Sequence, residues 1–377
     1  MTRYRTRPTV EADYAGDGTY ATDLTIAVSD LTVSHGSDLA RNPDRATPLT
    51  ARGHMTVPYS ALPAPDTTVP LQVRHAGQTV WRGVAARTRV GPPPQRMSYW
   101  LLRSAVTPQR IDGYTITQRT TPSGVLTEIA ELWGATIGST DQLLTPVIEM
   151  FSYSGPLGGI LSQMAALGGG IPMETRTGSV VVVRDTTPAP HDAPVLSTPD
   201  TLVGAPILHI GEERVRNGLI AERWDGTALR PDPSMAAAVA ASQATYGLRQ
   251  MTIPAWIATS HGLTQEAYWQ RIGELLQPKR TATVRVSLWQ PTEARSAEVA
   301  AIDAGQRLRL ALQDRRRGVS LTGGWLVTGR QVTLRPTPTV TLTHLETGIG
   351  SLAARLLLES GDALLLESGD ALLLEAA

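Results

Sequence analysis

The sequence lacks several residue types on which whole classes of function depend. It contains no cysteine, which excludes disulfides, thiol nucleophiles and cysteine-ligated zinc. Phe151 is the only phenylalanine and Lys279 the only lysine, so nearly all the positive charge is arginine, as is typical of a GC-rich genome. No run of 18 or more apolar residues occurs, and no apolar segment follows the basic N-terminus. We therefore expect neither a membrane span nor a targeting peptide.

The charges are balanced: 34 basic and 34 acidic residues give a formal net charge of zero over 377 residues. This balance argues against a nucleic-acid binder that works by bulk positive charge. The hydrophobic content of 41% is ordinary for a folded protein, and together with the zero net charge it excludes disorder of the chain as a whole.

Alternating apolar and polar residues predict mainly short strands in residues 1–110. Residues 23–28 alternate through Leu24, Ile26 and Val28, and the same two-residue period continues at Leu31 and Val33. Further strands are predicted over 71–75, 80–90 and 98–102, with a turn at Ala76-Gly77-Gln78. Frequent proline and glycine between them favour a small barrel or sandwich.

Helical spacing replaces this alternation after residue 110. Thr121-Pro122 is a helix start signal, and helices are predicted over 121–134, 156–167, 235–245 and 264–276. A hairpin is predicted from 171–175 and 180–183, followed by a proline-rich linker. Clean alternation then returns over 281–288, 308–312 and 325–342, which indicates about five strands and a second barrel.

An eight-residue unit repeats at the C-terminus. Leu-Leu-Leu-Glu-Ser-Gly-Asp-Ala occupies 356–363, recurs over 364–371, and begins again at 372. On a helix, an eight-residue period turns the leucines by about 80° per repeat, so no single face stays apolar. Ser-Gly-Asp is a turn signal, and we predict short strands joined by tight turns. Such a strip needs identical copies or another partner to bury its leucines.

The candidate protein-interface residues combine these leucines with an arginine run predicted at a hairpin tip, where it could contact phosphate or an acidic partner. They are Leu356, Leu357, Leu358, Leu364, Leu365, Leu366, Leu372, Leu373, Leu374, Arg315, Arg316 and Arg317.

Catalytic, cofactor and metal motifs are weak or missing. The sequence has no nucleophile elbow, P-loop or dinucleotide fingerprint, and its seven histidines are scattered. The tightest cluster of histidine and carboxylate side chains is Asp185 with His191 and Asp192, which would be the candidate metal or acid/base site, but it lies in the proline-rich loop with no supporting residues around it. Asp13, Asp17 and Asp23 resemble a calcium loop only loosely, and turn residues are the better interpretation. The tryptophans are better explained as core or interface anchors than as a sugar-binding platform. We predict no cofactor, no metal and no enzymatic activity.

The order of parts resembles the baseplate hub, or minor tail protein, of bacteriophage tails. Three stretches carry the resemblance: a strand, glycine turn and aromatic over 73–84, a helix and valine-rich hairpin over 151–184, and a closing barrel over 307–346. The leucine repeat also resembles C-termini of minor tail proteins from phages of GC-rich hosts.

The resemblance implies a mainly β fold with an α+β insertion. Its parts would be a first tube-like barrel (1–110), an α+β module (111–186), a peripheral module of linker, strands and helices (187–280), a second tube-like barrel (281–347, with strands from about 205–224) and the octad-repeat tail (348–377). The family is a structural homotrimer that adapts a sixfold tail tube to the tip.

The implied partners are the distal tail protein or tail tube, the tape-measure protein and other tail-tip proteins, with DNA only in passage through the channel during ejection. The implied location is the virion tail tip, after assembly in the host cytoplasm. Two alternatives stay open: a trimeric carbohydrate-binding adhesin, and a tail-tip glycan hydrolase with Glu174 and Asp185 as paired carboxylates.

Overall fold

The structure is a computed structural model, and it describes residues 5–347 with internal gaps. The gaps are residues 40–47, 59–67, 91–96, 104–109, 134–136, 139–142, 146, 149–150, 198–201, 222–226, 232, 254–267, 315–318 and 335–336.

Strands account for most of the regular structure in the described residues. The strands are β1 Thr9–Ala12, β2 Thr22–Asp23, β3 Asp30–Ser37, β4 Pro48–Pro58, β5 Thr68–His75, β6 Gln78–Val90, β7 Met97–Arg103, β8 Arg110–Ile116, β9 Phe151–Pro156, β10 Gly170–Glu174, β11 Val180–Arg184, β12 Val195–Ser197, β13 Ile207–Gly211, β14 Gly218–Ala221, β15 Thr227–Leu229, β16 Gln250–Ile253, β17 Lys279–Ser287, β18 Arg307–Asp314, β19 Val319–Thr333 and β20 Thr339–Glu346. The helices are α1 Pro122–Trp133, α2 Leu157–Leu167, α3 Ala236–Tyr246 and α4 Glu293–Ala301, with a short 3-10 helix Glu212–Arg214. The mainly β prediction with helical insertions is confirmed.

One 13-stranded sheet joins the N-terminal and C-terminal strands. Its order is β13-β17-β20-β19-β3-β4-β7-β6-β5-β1-β2, and β18 pairs with β19 and β12 beside this path. The antiparallel pair β19–β3 connects the two halves. No closed barrel is found among the described residues, so the two separate barrels predicted from the sequence stay a prediction.

The seam between the halves requires a glycine. Gly36 pairs with Gly329 across β3 and β19 and has a φ of +129°. A Cβ atom on Gly36 would lie 2.5 Å from the Thr328 carbonyl oxygen, closer than any side chain tolerates. The halves meet here because the two backbones can approach without a side chain between them.

The largest core covers one face of this sheet and draws on both halves. Trp81 on β6 and Trp325 on β19 are fully buried in it. Ala282, Val284 and Val286 on β17 are also buried, as the alternation predicted. Each large apolar side chain buried in this way contributes about 1.5–3 kcal/mol to folding. One shared core therefore makes the two halves a single packed unit.

The helices α1 and α2 lie in a second core. Thr121 Oγ1 accepts a hydrogen bond from the Gly124 backbone N at 3.2 Å, so the predicted start of α1 is confirmed. Predicted helices over 156–167 and 235–245 are confirmed as α2 and α3, and the predicted hairpin as β10–β11. The predicted helix over 264–276 is described only from residue 268, and 268–273 are helical. This core also contains Leu219, Val239 and Met251, so β14, α3 and β16 pack with α1 and α2.

Two local predictions were wrong. Residues 25–27 form a turn where a strand was predicted over 23–28, and Ile26 is 90% exposed. Leu24 and Val28 are buried, which explains why the alternation looked like a strand. The helix α4 was missed, although Thr292 caps it by accepting from the Arg295 backbone N at 3.2 Å.

No helix in the described part of the chain is long and apolar enough to span a membrane.

Candidate functional site

The interface residues proposed from the sequence fall outside the described residues. This holds for the repeat leucines between residues 356 and 374, and for Arg315, Arg316 and Arg317 at the predicted hairpin tip. Their role stays a prediction, and the candidate surfaces below are built from other residues.

A polar row crosses six neighbouring strands on the face of the main sheet that is opposite the core. Each residue of the row is the cross-strand partner of the next, in the order Arg285, Thr341, Gln331, Ser34, Arg52 and Arg103. The row contains no carboxylate. Its three arginines and Gln331 are exposed, and the two hydroxyl residues are half-buried. This row places neutral groups in the middle and cations toward its ends.

A groove of about 510 Å³ opens on the same face, beside this row. Ser34, Gln331 and Thr341 line it, and His209 on β13 also contributes to its wall. Arg330 also lines the groove, and its buried side chain donates hydrogen bonds to the carbonyl oxygens of Val80 and Ala300. Burial lowers the pKa of Arg330 to about 10, and the charge of Asp303 opposes this shift. Most of the residues that line the groove have polar side chains.

A buried ionic cluster around Asp185 lies where the α2 core meets the main sheet. Arg214 Nη2 is 2.9 Å from Asp185 Oδ2, Arg271 Nη1 is 3.0 Å from Oδ1, and Lys279 Nζ is 3.4 Å from Oδ2. Glu274 is paired with both Arg271 and Arg184. The four cations come from the end of β11, the 3-10 helix, the 268–273 helical segment and the start of β17. The cluster thus ties four separate segments together.

The pKa values in this cluster follow from burial and from the facing charges. Burial alone would raise the pKa of Asp185, but the charges of Arg271, Lys279 and Arg214 outweigh it and hold that pKa well below its usual value. Burial lowers the pKa of Lys279 to about 8, although Asp185 opposes the shift. The facing charges therefore favour the ionised form of Asp185, and its carboxylate is the shared centre of three ion pairs.

One feature of the sequence, its single lysine, indicated this cluster, but genome composition also explains why lysine is scarce. The single lysine of an arginine-rich chain, Lys279, is 1% exposed. It was attributed to genome composition. The partners Arg214 and Arg271 carried no local signal, because only the tertiary fold brings them to Asp185.

The alternative catalytic pair is not assembled. Glu174 lies at the turn end of the β10–β11 hairpin and Asp185 just beyond its open end, so they are about 16 Å apart along the strands. Glu174 accepts a hydrogen bond from the Ala51 backbone N at 3.1 Å, and Asp185 is held by its three cations. This geometry disfavours a glycan hydrolase built on these two carboxylates.

The metal clusters considered from the sequence also do not form. Asp185 is buried in its ion pairs, whereas His191 and Asp192 are exposed. Asp13 accepts from the backbone N of Gly16 and Gly18 at 2.7 and 2.8 Å, as a turn residue does. No group of three potential metal-ligating side chains is found in the part of the chain that the structure describes.

Four tryptophans are core residues, as the sequence predicted. Trp81, Trp100, Trp269 and Trp325 are each at most 3% exposed. Trp289 is half-buried, and its Nε1 donates to the Thr6 carbonyl oxygen at 3.3 Å. These side chains stabilise the fold, so they offer no sugar-stacking platform and do not support the adhesin alternative.

Comparison with known proteins finds similarity in fold alone. No model of a known protein family matches the chain, and no curated protein matches its sequence. The fold is similar to that of a 43 kDa tail protein of prophage MuSo2 from Shewanella oneidensis, with a TM-score of 0.51 and 11% identity over 90% of this chain and 97% of that one. It is also similar to a tail protein from Neisseria meningitidis MC58, with a TM-score of 0.53 and 14% identity over 91% and 98% of the two chains. The resemblance to phage tail proteins is thus confirmed as a shared fold.

Proposed function

We propose that this chain is a structural, non-enzymatic subunit of a phage tail tip, where it forms a trimeric hub that adapts the sixfold tail tube to the tip. The observation that carries the proposal is the likeness to two tail proteins along nine-tenths of this chain and nearly all of theirs.

A hub of this kind needs two similar units per subunit, so that three subunits match a sixfold tube. The two halves of the main sheet, β1–β7 and β13 with β17–β20, are the units we assign to this role. Their shared core and the β3–β19 seam support it, because a rigid pair of units keeps a ring in register. The closure of each half into a tube-like barrel is part of the proposal.

The polar row from Arg285 to Arg103 is the surface that we assign to the channel. Its centre, Thr341, Gln331 and Ser34, is uncharged, so passing DNA would meet few fixed charges there. A Gln331→Trp substitution should leave tails assembled and lower the DNA ejection efficiency of particles. Unchanged ejection from normally assembled particles would remove this face from the channel.

The partners follow from this position. They are two further copies of the chain, the distal tail protein or tail tube above, and the tape-measure protein inside, with DNA only in passage. The repeat leucines and Arg315–Arg317 remain our candidates for contacts between these proteins. We place the mature protein at the virion tail tip, after assembly in the host cytoplasm.

The test is a count of copies. Sedimentation of the purified chain over a range of concentrations should give a trimer, and images of tail tips should give three copies below a sixfold tube. A chain that stays monomeric at high concentration and is missing from tail tips would overturn the proposal. A deletion of residues 356–377 should weaken the assembly while the rest of the chain stays folded and unfolds cooperatively.

A further inference from the structure

The strand β13 forms an incomplete edge of the main sheet. Among the described strands it pairs only with β17, so its other side offers free backbone groups. Ile207, Leu208 and Ile210 are 65%, 38% and 47% exposed. Leu208 pairs with the buried Ala282, so it projects from the core-facing side of the sheet, yet it is not covered. An apolar edge of this kind is a template for one more strand.

The described chain ends close to this edge. Leu345 on β20 pairs with Thr281 on β17, and Thr281 pairs with His209 on β13. Neighbouring strands are about 4.8 Å apart, so the end of β20 lies about 10 Å from β13. Residues beyond 347 therefore begin two strands away from the free edge.

The reach of the following segment is sufficient. Eight residues, 348–355, separate residue 347 from Leu356, and an extended chain across them spans up to about 30 Å. Because β13 runs parallel to β20, a chain that leaves β20 and turns back would lie antiparallel to β13. The apolar run Leu356–Leu358 is about as long as the exposed part of β13.

The net charges favour contact between the tail and the rest of the chain. Residues 348–377 contain five carboxylates and one arginine, a net charge of −4, so the rest of this neutral chain carries +4. The tail is thus attracted to the body from which it emerges, most strongly at low ionic strength.

We infer that Leu356–Leu358 adds to β13 of its own chain as an antiparallel edge strand and covers Leu208 and Ile210. The own chain is the occupant because a short tether gives a local concentration on the order of millimolar, which a second copy in dilute solution does not reach. The later leucine runs then form the outer edge, available to neighbouring subunits. This inference does not depend on the proposed tail-tip function.

The absence of cysteine makes a direct test possible. In the full chain, Ile207→Cys with Leu357→Cys supplies the only two thiols, which a short bis-maleimide can join. We expect an internal cross-link as the major product, detected as a monomer on a denaturing gel and as linked peptides by mass spectrometry. The matched control, Ile26→Cys with Leu357→Cys, uses a 90% exposed position away from β13 and should link at least several-fold less.

The other results overturn the inference. Links between differently tagged copies would make a second copy the occupant, and equal yields from the test and control pairs would mean that the tail has no fixed site. A second measurement removes the dependence on thiols. Replacing Leu356, Leu357 and Leu358 by serine should speed hydrogen exchange in 207–210 at least tenfold, and unchanged exchange there would also contradict the inference.

Discussion

His35 and Asp303 are 268 positions apart in the sequence, and His35 Nε2 donates a hydrogen bond to Asp303 Oδ1 at 3.1 Å. The Arg176 backbone N donates to both oxygens of the same carboxylate, at 3.0 and 2.9 Å. One buried carboxylate therefore joins β3, the turn of the β10–β11 hairpin and the loop after α4. It fixes the hairpin against the seam between the two sheet halves.

Replacing Asp303 by alanine should lower the free energy of unfolding by about 3 kcal/mol. The change leaves the His35 and Arg176 donors buried without their acceptor, and removes a charge that faces Arg330. Urea denaturation measures the difference. Asp112→Ala is the control, because its ion pair with Arg110 is about 75–79% exposed and should matter by less than about 0.5 kcal/mol. Equal effects would contradict a structural role for Asp303.

In the Asp185 cluster, removing the carboxylate should cost much more stability than removing the lysine. Asp185→Asn leaves three buried cations without their shared carboxylate, and we expect a loss of about 3–5 kcal/mol in unfolding free energy. Lys279→Met removes a buried cation while Arg214 and Arg271 still balance Asp185, so stability should change by less than about 1 kcal/mol. Chemical denaturation of both variants is the measurement. A larger loss for Lys279→Met than for Asp185→Asn would refute this description of the cluster.

The seam glycine is tested with a pair of alanine substitutions. Gly36→Ala should destabilise the protein by at least about 2 kcal/mol, because its Cβ would meet the Thr328 carbonyl oxygen and its φ is positive. Gly158→Ala, on α2 with nothing within 4 Å of its Cβ position, should be neutral or stabilising by up to about 1 kcal/mol. Thermal unfolding distinguishes them, and a tolerated Gly36→Ala would show that the seam can open.

Buried histidines predict a loss of stability in mild acid. Burial lowers the pKa of His344 to about 4, despite its hydrogen bond to the Ala282 carbonyl oxygen, and burial also lowers the pKa values of His35 and His75. The unfolded chain then binds protons more tightly than the folded one. Stability should therefore fall as the pH drops from about 6.5 toward 4, by about 3 kcal/mol for His344 alone.

The measurement is the urea midpoint at several pH values, compared between the natural chain and His344→Gln. The variant should lose part of the slope between pH 6.5 and 4. Parallel curves for the two proteins would mean that His344 does not carry this effect.

Local patterns predicted local structure well where burial on one face is regular. The alternation at Ala282, Val284 and Val286, and the capped start of α1 at Thr121, correspond to the strand and the helix that form. The same alternation failed at Ile26, because a turn can also bury the residues on either side of an exposed one. The helix α4 was missed because its alanine-rich sequence has few large apolar residues to mark a face.

The sequence by itself determined most strands and helices, the absence of cysteine chemistry and the order of parts that resembles phage tail proteins. Only the tertiary structure decided that β19 pairs with β3 in one 13-stranded sheet, and that Asp185 is the centre of a buried ion-pair cluster. The physical reason is the separation in sequence between the residues that interact. Alternation and capping depend on neighbours within a few residues, whereas strand pairing and the charges around a buried carboxylate depend on contacts between residues as far apart as Asp185 and Lys279.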